Sequence, residues 1–166
     1  EGEEAFERHG KASEYVLTAG ESEMVEQLVA RLTGEGALSD LDAISDENSG
    51  ESIKQVNGFE TTAILTRTMD EAKRLYNALK DRLPVTLLTQ DSSHMAKGIL
   101  ITTFYLAKGL EFDSVHVAFV QADTYYNDYH RQILYIAATR ALHELYLYGA
   151  GEKSALIEPR ESALSV

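Results

Sequence analysis

The sequence around one arginine in the C-terminal third of the chain indicates that its side chain pairs with a negatively charged group. Arg140 lies in the segment LYIAATRALHELYL, beside the small residues Ala137, Ala138 and Ala141. The spacing of the apolar residues predicts a helix from about Asp128 to Leu142. A guanidinium among small apolar side chains needs a negative partner, because an unpaired buried charge is costly. That partner is either a carboxylate of the same fold or a group across an interface.

A glycine turn upstream carries a second set of candidate residues. The segment TTFYLAKGLEFDSV contains a polar turn from Tyr105 to Gly109, which Glu111 follows. Gly109 permits a positive φ and the close approach of another group, although a plain turn glycine is equally compatible. Glu111 ends a turn that leads into a buried strand, so it can accept hydrogen bonds from a ligand's hydroxyl groups. The alternative is a solvated loop carboxylate.

The elements that must position these residues alternate between strands and helices. The predicted strands are Tyr15–Thr18, Thr61–Arg67, Val85–Leu88, Ile99–Thr103, Val115–Val120 and Leu145–Tyr148, and the other predicted helices are Glu21–Leu32 and Met69–Leu83. The strands are near-continuous apolar runs, which are typical of strands covered on both faces. The sequence therefore predicts an α/β domain with a mainly parallel sheet and helices on both faces.

Capping residues support two of the helix starts. Ser22 is a predicted N-cap of the first helix, and Thr68 of the second, where Glu71 would complete a capping box. We interpret Leu38–Gly58 as a loop or short helix and Gln90–Lys97 as a loop, because both are rich in polar and turn-forming residues.

Length and composition limit the class of protein. At 166 residues the chain is long enough for one domain with a buried core. It has no Cys, which excludes disulfides and favours a cytoplasmic location. No apolar run approaches the roughly eighteen residues of a membrane span, so we expect no membrane contact. The start without Met suggests a piece of a longer protein. We expect an acidic lead-in at 1–13, the domain at 14–150 and a tail at 151–166.

The charge of the chain is acidic and unevenly placed. The formal net charge is −12; residues 1–60 hold fifteen Asp or Glu and four Lys or Arg, whereas residues 61–166 hold twelve and eleven. A nucleic-acid-binding protein usually presents a basic face, so this chain alone should not grip DNA strongly. The acidic half is either a solubilising surface or a face that docks a partner protein.

The two segments quoted above resemble a known family. TTFYLAKGLEFDSV is similar to the fifth motif of superfamily-1 helicases of the UvrD/Rep type, and LYIAATRALHELYL is similar to their sixth. The AKGLEFD turn, the short acidic link and the following helix and strand resemble the HelD branch, the helicase-IV-like motors associated with bacterial RNA polymerase. The resemblance implies a RecA-like three-layer domain, namely the second motor domain. Only Asp81–Gly98 stands where UvrD and Rep carry a large insertion.

The resemblance also implies roles for individual residues. Arg140 would reach the γ-phosphate of ATP as an arginine finger, and Gly109 and Glu111 would lie at the nucleotide, the latter near its ribose. Residues implied to contact the bound nucleic acid are Arg67, Thr68, Thr103, Tyr105 and Lys108. For Arg67 and Thr68, support of the cleft is the alternative role. The family commonly has His in place of Tyr105 and Ser in place of Leu106. The HelD branch departs in a similar way, so these substitutions support the resemblance to that branch. They also weaken the expectation of ordinary DNA tracking.

The chain lacks the phosphate-binding half of an ATP site, since no G-x-x-x-x-G-K-[ST] segment occurs in it. The resemblance implies that ATP with Mg²⁺ is bound mainly by an N-terminal RecA-like domain of the same parent chain, and that this fragment alone is inactive. Single-stranded DNA is the implied partner. The alternative function is an RNA polymerase-associated docking or remodelling module in which unwinding is not the main role.

Other clusters of polar and aromatic residues have simpler explanations. Tyr125, Tyr126, Tyr129 and His130 could form a stacking platform, but a partly buried helix start is the favoured interpretation. The histidines of the C-terminal half lack the spacing of a metal site, so no metal ligands are predicted.

Overall fold

The computed structural model describes residues 12–33, 61–91 and 98–157. The segments Leu38–Gly58 and most of Gln90–Lys97, predicted to be loops or a short helix, lie outside the described residues. The described strands are β1 (Ala12–Thr18), β2 (Thr61–Thr66), β3 (Val85–Leu87), β4 (Gly98–Thr103), β5 (Phe112–Val117) and β6 (Ala141–Ala150). The described helices are α1 (Glu21–Thr33), α2 (Met69–Leu79) and α3 (Asp128–Arg140).

The described strands form one sheet in the order β1-β6-β5-β2-β4-β3, and every neighbouring pair is parallel. All six residues of β4 are buried, as are five of the six in β2, because these central strands are covered on both faces. The predicted α/β class with a parallel sheet is therefore confirmed.

Helices cover the sheet on both sides, in the three layers expected of a RecA-like domain. On one face α1 and α2 pack their apolar stripes against alternate strand residues. On the other face α3 packs together with the segment that joins β4 to β5. The side chains that form these two core layers are Met24, Leu28, Leu75, Leu79, Ile64 and Ile101 for the first, and Ala107, Leu134, Ala137, Leu65, Val115 and Leu145 for the second.

Parallel pairing divides the ends of the strands into two groups. The residues that follow the carboxyl ends of the strands lie at one edge, here called the carboxyl edge. The residues that precede the amino ends lie at the opposite amino edge. The connection from β4 to β5 runs from the carboxyl edge to the amino edge, and α3 returns the chain from the carboxyl edge to the start of β6. This placement assigns each candidate residue to one edge.

The boundary between α3 and β6 differs from the prediction. The helix was expected to run to Leu142, but it ends at Arg140, and Ala141 already has extended backbone angles. Ala141 pairs with Phe112 of β5, which is remote in sequence. Sheet pairing thus overrides the helical preference of the segment, so Leu142, expected in the helix, lies in β6.

Two other elements end three or four residues earlier than predicted. β5 ends at Val117 rather than Val120, because Phe119 has a φ of 63° and turns the chain out of the ladder although the apolar run remains buried. α2 ends at Leu79 rather than Leu83. Leu83 is still buried, and its N–H donates to the Leu79 carbonyl in the turn before Pro84.

The helix caps are partly as predicted. The Thr68 hydroxyl accepts from the Glu71 N–H at 3.2 Å and caps α2, as expected. The Glu71 carboxylate accepts in return from the N–H of Arg67, the residue before the cap. The prediction for Ser22 is wrong, since α1 begins at Glu21 and its first backbone bond is accepted by Gly20.

Residues 151–157 continue the fold beyond β6. Ser154 and Leu156 are buried, and the Ser154 hydroxyl donates to the Tyr125 carbonyl at 2.7 Å. Within the described ranges, no helix combines the length and apolar character that crossing a bilayer requires.

Candidate functional site

Arg140 lies at the amino edge as the last residue of α3. Its Nη1 donates to the Leu110 carbonyl at 3.2 Å, and its Nε is buried without a hydrogen-bond partner. Among the residues that the structure describes, no Asp or Glu forms an ion pair with Arg140. A structural pair with a carboxylate of the same fold is therefore not seen within the described part of the chain.

The glycine turn brings two more candidates to the same edge. Gly109 has a φ of 84°, and a Cβ placed there would meet open space, so the turn needs glycine for its backbone angles and not for room. Glu111 is exposed and immediately precedes β5. Phe112 of β5 pairs with Ala141 of β6, so the starts of the two strands are neighbours. Gly109, Glu111 and Arg140 consequently meet at the amino edge.

Four of the other predicted site residues lie at the carboxyl edge. β2 and β4 are neighbours, and Thr66 pairs with Thr103 at their ends. Arg67 and Thr68 therefore continue beside the start of the β4–β5 connection. The Thr103 hydroxyl is buried and accepts from the Leu106 N–H at 3.2 Å, whereas Tyr105 is 74% exposed.

Lys108 belongs to neither edge group. It is exposed and lies farther along the connection, one residue before Gly109. Its backbone N–H donates to the Tyr105 carbonyl at 3.3 Å. Four of the five residues predicted to contact nucleic acid therefore lie at the carboxyl edge. Lys108 lies on the connection between the two edges.

The Arg67 guanidinium has partners that the sequence reasoning did not assign. Its Nη2 donates to Glu71 Oε2 at 2.9 Å, and its Nη1 donates to the Thr124 carbonyl at 3.0 Å. It also lies over the ring of Tyr125, 5.6 Å from the centroid. The spacing of Arg67 and Glu71, four residues apart at a helix start, was the available signal for this pair. The backbone carbonyl has no such signal.

Tyr125 and His130 anchor the start of α3. Tyr125 is completely buried, and burial raises the pKa of its phenol, an effect that the Glu71 charge increases and the Arg67 charge opposes. His130 Nδ1 accepts from the Tyr126 N–H at 3.1 Å, and burial and the Arg67 charge lower the pKa of this imidazole. Asn127 caps the helix through the His130 N–H. The helix-start interpretation is confirmed.

A buried polar network lies on the face that α1 and α2 cover. His116 Nε2 is 3.1 Å from Ser114 Oγ, and His116 Nδ1 is 2.7 Å from the Tyr148 hydroxyl. Ser114 Oγ donates to Glu144 Oε1 at 3.3 Å, so it must accept from His116. The Tyr148 hydroxyl then donates to Nδ1. A neutral imidazole satisfies every atom of this chain of hydrogen bonds.

Metal binding finds no support at either edge. In the described part of the molecule, no three His, Asp or Glu side chains are grouped as ligands for a metal ion.

The chain is similar to a known protein family and to a solved structure. A family described as the UvrD-like helicase C-terminal domain matches residues 98–148, which include the glycine turn and Arg140. The crystal structure of the C-terminal domain of a possible DNA helicase from Lactobacillus plantarum WCFS1 is 32% identical, over 93% of this chain and 84% of that chain, with a TM-score of 0.68. The chain belongs to the UvrD-like helicase C-terminal domain family.

More distant structures add nothing to this assignment. The arterivirus nonstructural protein 10 helicase, in complex with DNA and alone, is 16% identical, with TM-scores of 0.48 and 0.47 over 92% of this chain and 33% of that chain. Comparison with curated proteins gave no match.

The family match includes some of the candidate residues of this UvrD-like C-terminal domain and excludes others. The amino-edge residues lie within the matched range, as do Thr103, Tyr105 and Lys108. Arg67 and Thr68 lie outside it, so their place beside Thr103 depends on the pairing of β2 with β4.

Proposed function

We propose that this UvrD-like C-terminal domain is the second motor domain of an ATP-dependent DNA helicase or translocase. Arg140 would complete an ATP site that a RecA-like domain, N-terminal in the same parent chain, mainly forms. The observation that carries this proposal is the state of the Arg140 guanidinium. It lies at the amino edge with one hydrogen bond to a backbone carbonyl and, among the described residues, no carboxylate partner.

A guanidinium without a carboxylate partner is suited to stabilising the negative charge that develops in phosphoryl transfer. Negative charge spreads over the equatorial oxygens in the transition state, and an arginine that contacts them contributes roughly 10³-fold or more in rate. The Leu110 carbonyl fixes Nη1, which orients the guanidinium plane and leaves Nη2 for a phosphate oxygen. Glu111 is exposed beside it and can accept hydrogen bonds from ribose hydroxyls, while Gly109 keeps the turn free of a side chain.

The carboxyl edge would contact the nucleic acid strand. Tyr105 offers an exposed ring for stacking and Thr68 a hydroxyl, while Lys108, on the path between the edges, adds an exposed positive charge. This combination gives affinity without sequence choice. The six residues of β4 span about 20 Å, at roughly 3.3 Å per residue, between this edge and the amino edge, where the nucleotide would bind. Nucleotide and strand would thus act on opposite ends of one rigid sheet.

ATP with Mg²⁺ would be held chiefly by the other domain. The chain has no phosphate-binding loop of its own, and the described residues hold no group of metal ligands. The residues of this domain would orient the ribose and neutralise charge at the γ-phosphate.

One substitution in the intact parent protein tests the proposal. Arg140→Ala should lower the kcat of ATP hydrolysis at least about a hundredfold, because it removes charge stabilisation of the transition state. Arg131→Ala, on the same helix, is the matched control and should leave kcat near that of the parent. Turnover of Arg140→Ala within a few fold of the control would refute the assignment.

A second candidate function is docking to RNA polymerase, as in the HelD branch. It is favoured by Tyr129, Tyr135 and Ile136, which are 67%, 50% and 41% exposed along α3. If this face docks the polymerase, Ile136→Asp should abolish capture of the purified polymerase by the parent protein while leaving ATP hydrolysis intact. Unchanged capture would exclude this face.

A further inference from the structure

The Arg67–Glu71 pair lies where an open α/β sheet usually binds ligands. β2 and β5 are neighbours, yet β2 leads into α2 on one face and β5 leads into α3 on the other. The carboxyl ends of such a strand pair diverge and leave a crevice, which is the common ligand site of these folds. Arg67 follows β2, and its Nη1 spans the crevice to the Thr124 carbonyl in the segment after β5.

The Glu71 carboxylate already occupies the position of an anion in this crevice. It is buried, and its Oε1 accepts from the Arg67 backbone N–H at 3.2 Å. Its Oε2 accepts from Arg67 Nη2 at 2.9 Å. A backbone N–H at a helix start and a guanidinium N–H are the groups that bind a phosphate. Glu71 therefore satisfies, from within the domain, the donors that an external phosphate would use.

The carboxylate leaves two polar atoms beside it unsatisfied. Arg67 Nε is buried without a hydrogen-bond partner, and so is the hydroxyl of Tyr125, whose ring lies under the guanidinium. Tyr125 is completely buried, and its pKa responds to the charges of both Glu71 and Arg67, which places the phenol within their electrostatic reach. Buried donors without acceptors are costly. The Glu71 carboxylate thus leaves the Nε–H of Arg67 unpaired, and a phosphate has more oxygens than a carboxylate with which to accept from a guanidinium.

We propose that Glu71 masks Arg67 by competing, from inside the domain, with a backbone phosphate of single-stranded nucleic acid. The inference rests on the proposed contact between Arg67 and the strand. Strand binding at the carboxyl edge then requires the carboxylate to leave the guanidinium. The bond from Nη1 to the Thr124 carbonyl keeps the guanidinium in place during this exchange. Glu71 thereby lowers the affinity of the domain for single-stranded nucleic acid.

Neutralising Glu71 tests the proposal on the 166-residue chain itself. Binding of a fluorescent oligo(dT) is measured by anisotropy at several salt concentrations. Glu71→Gln, which keeps an oxygen for the Arg67 N–H, should bind about tenfold tighter. The slope of log K against log salt should steepen by about 0.7, the value for one additional phosphate contact on a single strand. The Arg67→Gln/Glu71→Gln double variant should lose the gain.

Glu26→Gln is the matched control for net charge. Glu26 pairs with Arg82 on the exposed surface, with Oε1 3.0 Å from Nη2, so this change removes one negative charge without freeing Arg67. Circular dichroism verifies that each variant is folded, and Glu71→Met, of similar volume, replaces Glu71→Gln if the latter is unstable.

The possible outcomes separate masking from strand contact. If Glu71→Gln binds no tighter than Glu26→Gln while Arg67→Gln binds more weakly, the masking is refuted and the strand contact stands. If no variant binds the oligonucleotide, both are refuted at this edge, whereas the assignment of Arg140 is decided separately by ATP hydrolysis. A tenfold gain that disappears in the double variant supports the proposal.

Discussion

Replacing His116 with glutamine should make the free energy of unfolding less sensitive to acid. His116 is buried in β5 beside the rings of Tyr146 and Tyr148, whose centroids lie 5.0 and 5.6 Å from its own. Burial, together with the positive charge of Arg31, lowers the pKa of the imidazole from 6.5 to about 3. The folded protein thus keeps this histidine neutral at pH values where the unfolded chain protonates it.

The sign and size of the effect follow from proton linkage. Between the two pKa values the unfolded state binds one more proton than the folded state, so acid favours unfolding. The stability contributed by the neutral imidazole is present above pH 6.5 and is lost as the pH falls, by about 1.4 kcal/mol per unit. At about pH 4.5 the loss amounts to roughly 2.7 kcal/mol, and it is little changed if the folded pKa is one unit higher.

Charged groups of three elements surround the imidazole and set the design of the assay. Arg31 of α1 pairs with Glu14 of β1 at 2.9 Å, and Glu144 of β6 accepts from Ser114. Because carboxylates also titrate in this range, the informative quantity is the difference between wild type and His116→Gln. Glutamine can donate and accept toward the same hydroxyls without titrating.

Urea unfolding followed by far-UV circular dichroism, at several pH values between about 7.5 and 4.5, measures this difference. The wild type should lose about 2.5 kcal/mol more than His116→Gln over this range. Tyr148→Phe is the control: it keeps the buried imidazole, so it should retain the acid sensitivity of the wild type. Parallel pH profiles for wild type and His116→Gln would refute the claim that the fold holds His116 neutral.

Three further substitutions test the backbone of the fold, each by its midpoint of urea unfolding. Gly149→Ala should destabilise by about 2–3 kcal/mol, because its Cβ would lie 2.2 Å from the Val120 carbonyl oxygen and 2.7 Å from the Tyr15 hydroxyl; wild-type stability would show that β6 shifts freely. Gly109→Ala should cost about 1 kcal/mol through its positive φ alone, and a larger loss would mean that the turn is sterically crowded. Thr68→Ala should cost about 1 kcal/mol by uncapping α2, and no loss would mean that Glu71 suffices.

The sequence was informative about the existence of elements and less so about their ends. Apolar runs located the central strands β2, β4 and β5 because central parallel strands are buried on both faces. Short apolar segments also located β1 and β3, which lie at the two sides of the sheet. The limits depended on long-range contacts instead. Pairing of Ala141 with Phe112 begins β6 four residues early, and the positive φ of Phe119 ends β5 inside an apolar run. Neither feature is encoded in local periodicity.

The candidate site shows the same division. Arg140, Gly109 and Glu111 were named from residue type and motif, and their roles at the nucleotide remain predictions. The partners that hold them in place were missed where they are backbone atoms, as with the Leu110 carbonyl, since any residue supplies such a group. Glu71 was recognised only as a capping residue, because its second role appears when Arg67 folds back over it.

The direct junction between α3 and β6 determines how a displacement of Arg140 is transmitted to the sheet. Arg140 is the last helical residue and Ala141 the first strand residue, so no flexible segment exists between them to absorb displacement. β6 is hydrogen-bonded to β5 on one side and β1 on the other. A displacement of the guanidinium is therefore transmitted to three hydrogen-bonded strands together. Inserting a single glycine at this junction would add a flexible residue between the guanidinium and the sheet.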